Sequence, residues 1–182
     1  MPSTLVMKFG GTSVGTEAAM RQAAQIIAGA YRDWPRLVVV TSALSGVTDL
    51  LIKSAVCAAR GDLDISKDAN RQLRQRHQAM VMALVRDRQH QAHVGVEVNG
   101  LLDDFGNLCH AIALLGEATP RVLDAVASLG ERLSTPILAA AVEALGLPAL
   151  AVEATRLIVT DTTFQNALPD MATTTTRVRH EL

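Results

Sequence analysis

A chain of 182 residues with 17 Lys+Arg against 18 Asp+Glu carries a formal net charge of -1 and is long enough to bury a sizeable core as one domain. That balance excludes the basic stripe of a nucleic-acid footprint. No run approaches the ~20 apolar residues of a membrane span, and no signal-peptide pattern opens the chain. Hydrophobic residues make up 49% but aromatics only 3%, so the core is aliphatic and alanine-rich, and disorder and collagen-like repeats are excluded.

The stretch Thr4 to Phe9 is a short apolar run that stops at Gly10-Gly11, a strand ending in a tight turn. Beyond Thr16-Glu17, apolar residues recur at Met20, Ala23, Ala24, Ile27 and Tyr31, one face of a helix. Asp33-Trp34-Pro35 ends it, and Leu37-Val38-Val39-Val40 reads as a parallel strand covered on both faces. A small-residue loop from Ser42 to Gly46 then leads into a helix with Val47, Leu50, Leu51 and Ala58 inward. This strand–helix–strand–helix order predicts an α/β layered fold.

Residues 61–67 read as a polar connector. Two long helical patterns follow, one burying Leu73, Met80, Val81 and Leu84, the other Val98, Leu101, Leu102, Phe105, Cys109 and Ile112. Their spacing predicts an antiparallel pair. A third helix runs from about Val122 to Leu145, with Pro136 expected to kink it or to lie within a turn of its start. Ala149–Val152 and Leu157–Thr160 read as two more short strands, and Ala172–Leu182 as a helix beginning. Cys57 and Cys109 fall inside helical patterns and read as reduced packing residues of a cytoplasmic protein.

The strongest local chemistry is Lys8-Phe9-Gly10-Gly11-Thr12-Ser13-Val14-Gly15. A strand delivers a lysine, glycines let backbone N–H groups approach an anion, and a helix start follows. It is neither a Walker A loop, where the lysine follows the glycines, nor G-x-G-x-x-G. The alternative is a plain strand-to-helix turn with an exposed lysine. Ser42 to Asp49 follows the second strand. Two parallel strands put such loops on one edge of the sheet, so both loops can face a shared crevice; Ser45 or Thr48 can equally cap the next helix. In Gly130-Glu131-Arg132-Leu133-Ser134, the Glu–Arg neighbours in isolation read as a solvated pair. Thr160 to Ala167 reads as a polar turn. His90, His93 and Glu97 fall at helical spacing, but the charged residues before them point to a solvated face, and no metal site is assigned.

Taken together, these segments resemble the N-terminal part of an aspartate kinase. Lys8 to Val14 matches that family's first signature, Ser42 to Leu51 is similar to its second, and Gly130 to Ser134 to its third. Thr160-Asp161 through Phe164, Asn166 and Ala167 resembles the loop preceding its later catalytic strands. The match is close over residues 4–52 and 115–170 and weak across the helical middle.

The resemblance implies an amino acid kinase fold, a three-layer α/β/α sandwich around a mainly parallel sheet. Residues 1–182 would be the N-terminal portion of one such domain, with 61–118 a helical insertion. The implied reaction is ATP-dependent phosphorylation of the side-chain carboxylate of L-aspartate, the entry to lysine, threonine and methionine synthesis. Lys8 would be catalytic. Lys8, Gly10, Gly11, Thr12 and Ser13 would bind the phosphates of ATP, which enters with Mg2+. Ser42, Thr48 and Glu131 would bind L-aspartate, Glu131 taking its α-ammonium and Thr48 a carboxylate. A homo-oligomer, a dimer, is implied, with no nucleic acid and no membrane partner. The alternatives are another amino acid kinase, of the glutamate, acetylglutamate or carbamate type, and a non-catalytic module. The family's later nucleotide-binding segment and its regulatory ACT domains have no counterpart in these residues. The fold is therefore expected to be incomplete at the C-terminus, prone to self-association through an exposed sheet edge, and inactive alone, which trapping aspartyl phosphate as a hydroxamate tests.

Overall fold

The structure, a computed structural model, describes residues 3–181. Strand β1 (Leu5–Lys8) pairs in parallel with β2 (Leu37–Val40), Leu5 opposite Leu37 and Lys8 opposite Val40. Between them run a single turn, α1 (Gly11–Val14), and α2 (Glu17–Tyr31). The start of α2 is fixed by Thr16, whose hydroxyl accepts from Ala19 N at 3.2 Å, with Glu17 favourably placed in the first turn. It buries Met20, Ala23, Ala24 and Ile27 as its periodicity requires, while Tyr31 is half-buried.

Four further long helices follow: α3 (Val47–Ala58), α4 (Leu63–Leu84), α5 (Arg88–Leu115) and α6 (Pro120–Glu143). The predicted inward faces of α4 and α5 are buried in full, and the two helices pack on one another. Phe105 is the largest side chain fully enclosed. Burial pushes the Cys109 thiol up to about 11, so it remains a protonated packing group. Met7, Phe9, Leu37 and Val39 pack the sheet onto this helical core. The helical layer covers that one face; on the other, Val6 is 63% and Val40 47% exposed, so the expectation that β2 is covered on both faces does not hold among the described residues.

Three other expectations are corrected. The polar connector at 61–67 is shorter, because the Asp62 carboxylate accepts from Asp64 N and Ile65 N and starts α4 at Leu63. Pro136 does not lie within a turn of the helix start: it stands sixteen residues into α6, which continues past it. Around it Thr135 Oγ1 and Ser134 Oγ donate to the Glu131 carbonyl at 2.7 and 3.1 Å, and burial of Leu133, Ile137 and Leu138 holds the helix together. Last, neither Ala149–Val152 nor Leu157–Thr160 forms a strand.

The first of these segments starts beside Pro148, which has no N–H. With Leu37–Val39, Ile27 and Leu138 it lines an apolar cleft of about 430 Å³ rather than zipping onto β2. The second is divided. Leu157 ends a turn, α7 (Ala154–Leu157), and Thr160 makes only an isolated antiparallel bridge to Pro169. Asp161 gathers residues 161–168 into a tight loop, accepting from Thr163 N at 2.9 Å and Leu168 N at 3.3 Å. The last helix is α8 (Met171–Glu181), started by the Asp170 carboxylate, which accepts from Ala172 N and Thr173 N; the predicted final residue, 182, lies outside the described residues.

Candidate active site

The parallel pairing of β1 and β2 puts the loops that follow them on one edge of the sheet, joined where Phe9 N donates to Val40 O at 2.9 Å. The first loop then turns into α1 at Gly10. Among the described residues, the N–H groups of Gly10, Gly11 and Thr12 have no hydrogen-bond acceptor. Such consecutive free donors form an anion cradle. Lys8, exposed at the end of β1, has no carboxylate partner among the described residues. Thr12 and Ser13 are exposed beside it.

The second loop meets the first at Ala43. A Cβ on Gly11 would lie 3.0 Å from the Ala43 carbonyl oxygen, so the two backbones touch and a larger side chain has no room. Gly46, at φ +78, forms the N-cap of α3 in the left-handed region, where glycine carries no steric penalty. No side chain caps α3. The capping alternative for Ser45 and Thr48 is therefore wrong, and the Thr48 hydroxyl is left without that duty.

Helix α6 closes the third side. A Cβ on Gly130 would lie 2.7 Å from Ala43 Cβ and 3.4 Å from Thr48 Oγ1, so α6 approaches this closely only because residue 130 has no side chain. The next residue, half-buried Glu131, accepts from Ala43 N through Oε1 at 3.2 Å, and its Oε2 has no donor among the described residues. One turn on, Ser134 Oγ donates to the Ser42 carbonyl at 2.7 Å. Glu131 and Arg132 are not the solvated pair that their adjacency proposes: Arg132 Nε instead binds Glu153 at 2.8 Å.

Ala43 is thus the hub to which Gly11, Gly130 and Glu131 all reach, with Ser42 on its own loop and Thr48 in the first turn of α3. The loop Thr160–Ala167 is not brought to this hub. It docks on the start of α6, with Gln165 N donating to Asp124 at 2.8 Å and Arg121 5.7 Å from the Phe164 ring centre. His90 of the histidine-spaced stretch turns to Glu143 at 3.2 Å. One residue of the hub's surroundings goes unmarked in the sequence reading. Arg76 of α4 donates to the Ser45 and Gly15 carbonyls at 2.9 and 2.8 Å. Its signal was an arginine between buried Leu73 and Met80, on the inward side of α4.

An anion cradle, a free lysine and a carboxylate with one open oxygen, on elements that meet at Ala43 beyond the edge of a parallel sheet, offer chemistry that suits an anion on one side and a cationic group on the other. The chain belongs to the amino acid kinase family, whose model matches residues 3–179. Within it, the chain is 33% identical to an aspartokinase of Chlamydia trachomatis over 92% of its own length and 34% of the relative's. It is 28% identical to the lysine-sensitive aspartokinase 3 of Escherichia coli over 94% of its own length and 36% of that protein's. Its fold matches the crystal structure of Escherichia coli aspartokinase III in complex with aspartate and ADP, with a TM-score of 0.86 and 25% identity, over 98% of this chain and 37% of that one. The complex of the same enzyme with lysine and aspartate matches with a TM-score of 0.85. The chain spans about a third of the length of the curated relatives it matches.

Proposed function

We propose that this chain carries the phosphate loop and the amino-acid pocket of an aspartate kinase, which transfers the γ-phosphoryl group of ATP to the side-chain carboxylate of L-aspartate. The observation that carries the reading is the posture of Glu131, with one oxygen pinned by Ala43 N and the other without a donor among the described residues, next to the Gly130 that meets Ala43 and Thr48. The kinship with aspartokinases, one of which is seen with aspartate and ADP, supports the substrate pair.

In this reading Glu131 takes the α-ammonium of L-aspartate, Thr48 binds a carboxylate and Ser42 lines the pocket. Lys8 neutralises the transferring group, and the amides of Gly10, Gly11 and Thr12, with Ser13 beside them, hold phosphate oxygens. The attacking carboxylate, with a pKa of ~4, is already ionised at neutral pH, so no general base is required. A carboxylate oxygen bonds to the γ-phosphorus, the bond to the bridging oxygen breaks, and ADP leaves with that electron pair. Positioning and charge neutralisation supply the catalysis. ATP enters as its Mg2+ complex, the ion travelling on the phosphates. Residues 61–118 act as a helical insertion in this domain, and the working enzyme is a cytoplasmic homo-oligomer.

The test is calorimetric titration of the 182-residue chain with L-aspartate, D-aspartate and L-glutamate, and of its Glu131→Gln variant with L-aspartate. We expect a response to L-aspartate alone, weakened on the order of 10- to 100-fold in the variant, the scale of a lost charge-assisted hydrogen bond. An equal response to L-glutamate, or an undiminished one in Glu131→Gln, overturns the assignment.

A further inference from the structure

Beyond the bond from Phe9 N to Val40 O, no backbone hydrogen bond joins residues 10–16 to residues 41–46 among the described residues. The two loops belong to different strands, and the proposed chemistry needs them in fixed register. Among the described residues the group that bonds both is Arg76, through two separate arms of one guanidinium: Nη1 donates to Ser45 O at 2.9 Å and Nη2 to Gly15 O at 2.8 Å.

Three features make this more than a surface contact. Arg76 has no carboxylate partner among the described residues, although its neighbours Arg71 and Arg74 each have one. Its planar fork is suited to holding two fixed acceptors at once, which a lysine ammonium on a flexible stem holds less well. And its helix is anchored on either side of it, by fully buried Leu73 one turn before and by buried Met80 one turn after. The carbonyls it binds belong to the residue that ends α1 and to the one preceding left-handed Gly46. Because a trans peptide sets C=O and N–H antiparallel, fixing these carbonyls also fixes the direction of the Thr16 and Gly46 amides.

We propose that Arg76 is a positioning residue, clamping the phosphate loop after β1 to the amino-acid loop after β2 so that donor and acceptor meet in register. The proposal rests on the functional reading above, and its test separates the two. Amide spectra of the 182-residue chain are recorded for the wild type, Arg76→Lys and Arg76→Met, each free and titrated with L-aspartate, alongside urea unfolding.

In the free proteins, the Gly10, Gly11, Gly15 and Gly46 peaks are expected to shift or broaden in Arg76→Met, with Gly100 and Gly116 of α5 and its cap unchanged. L-Aspartate affinity is expected to fall on the order of tenfold, the equivalent of about one hydrogen bond to a charged group. Arg76→Lys, retaining one bond, is expected to lie between. A merely structural arginine would lower the urea midpoint and leave affinity and loop peaks as in the wild type. That result in either variant overturns the proposal, and the conservative variant decides the matter if Arg76→Met does not fold. If the wild type itself ignores L-aspartate, the substrate assignment fails, while the free-state glycine peaks still decide whether Arg76 sets the register of the loops.

Discussion

Along the seam between α4 and α5 the polar side chains answer one another. Arg74 reaches Asn99 and Asp103, each at 2.7 Å, and Asn70 donates to the Leu102 carbonyl at 2.6 Å. Around Ala43 the same kinds of group are left open: Lys8, Thr12, Ser13 and Thr48 have no side-chain partner among the described residues, and Glu131 spends one oxygen of two. Both regions are held by well-buried helices, so looseness does not explain the difference. A rigid backbone that presents unanswered polar groups is arranged for something other than itself, whereas a seam that satisfies its own is arranged for stability. The proposed site lies around Ala43 and not along the α4–α5 seam, although the seam has its own polar groove lined by Asn70, Arg74 and His110.

The comparison breaks most visibly at Gly130. Glycine inside a helix normally weakens it by about 1 kcal/mol against alanine, so Gly130→Ala would stabilise a free helix. Here the new Cβ would lie 2.7 Å from Ala43 Cβ, and overpacking of this kind costs about 1–3 kcal/mol. We expect net destabilisation by urea unfolding and a displaced Thr48. The matched control is Gly100→Ala in α5, where nothing lies within 4 Å of the added carbon; it is expected to stabilise by up to about 1 kcal/mol. If both substitutions stabilise, the close approach of α6 to Ala43 is not real.

Among the described residues the helices have one buried side chain with an unpartnered polar atom, His77. It is fully buried, its Nδ1 lies 2.7 Å from the Leu73 carbonyl, and its Nε2 has no partner among the described residues. Burial, aided by the neighbouring Arg76 charge and opposed by the Leu73 bond, lowers its pKa from 6.5. The native state therefore resists a proton that the unfolded chain accepts. Stability is unaffected above about pH 6.5 and falls as the pH drops below it, by at most about 1.4 kcal/mol per pH unit for one proton. The measurement is the urea midpoint between pH 7.5 and 5 (roughly the span across the unfolded pKa) for wild type and His77→Gln, which keeps a donor for Leu73 and cannot titrate. An equal acid loss in both proteins would show that other groups carry it.

How far the sequence foretold this arrangement depends on what each feature needs. The buried faces of α2, α4 and α5 were legible because periodicity records which side of a helix avoids water. β1, β2 and the two loops were legible because glycines and an unalternated valine run leave few other conformations. The segments 149–152 and 157–160 were misread because apolar composition permits a strand, but only a neighbour within hydrogen-bonding reach makes one. The place of Pro136 deep inside α6 was not legible because the burial of Leu133, Ile137 and Leu138 around it, which offsets its local cost, is a tertiary effect. Of the candidate site, Lys8 and the glycines stood out by residue type and order, whereas Ser42, Thr48 and Glu131 were marked only by the family resemblance, since in isolation Thr48 reads as a helix cap and Glu131 as half of a solvated pair. Arg76 stood out by neither, because its partners are backbone carbonyls, which every sequence contains and none displays.

The smallest expected effect is the sharpest form of the comparison. Arg74→Ala removes bonds to Asn99 and Asp103 in a partly exposed seam, and it is expected to cost about 0.5–1.5 kcal/mol. Lys8→Ala removes a larger share of the site's charge but no described bond, so unfolding is expected to change by less than about 0.5 kcal/mol. The two midpoints, measured in urea on the same day and buffer, rank the residues by what the folded chain asks of them. Ligand affinity is expected to rank them the other way, with Lys8→Ala impaired toward phosphate-bearing ligands and Arg74→Ala unchanged. A lysine whose loss destabilised the chain as much as that of Arg74 would be part of the scaffold, and the free amides of Gly10, Gly11 and Thr12 would then have to hold the phosphates without it.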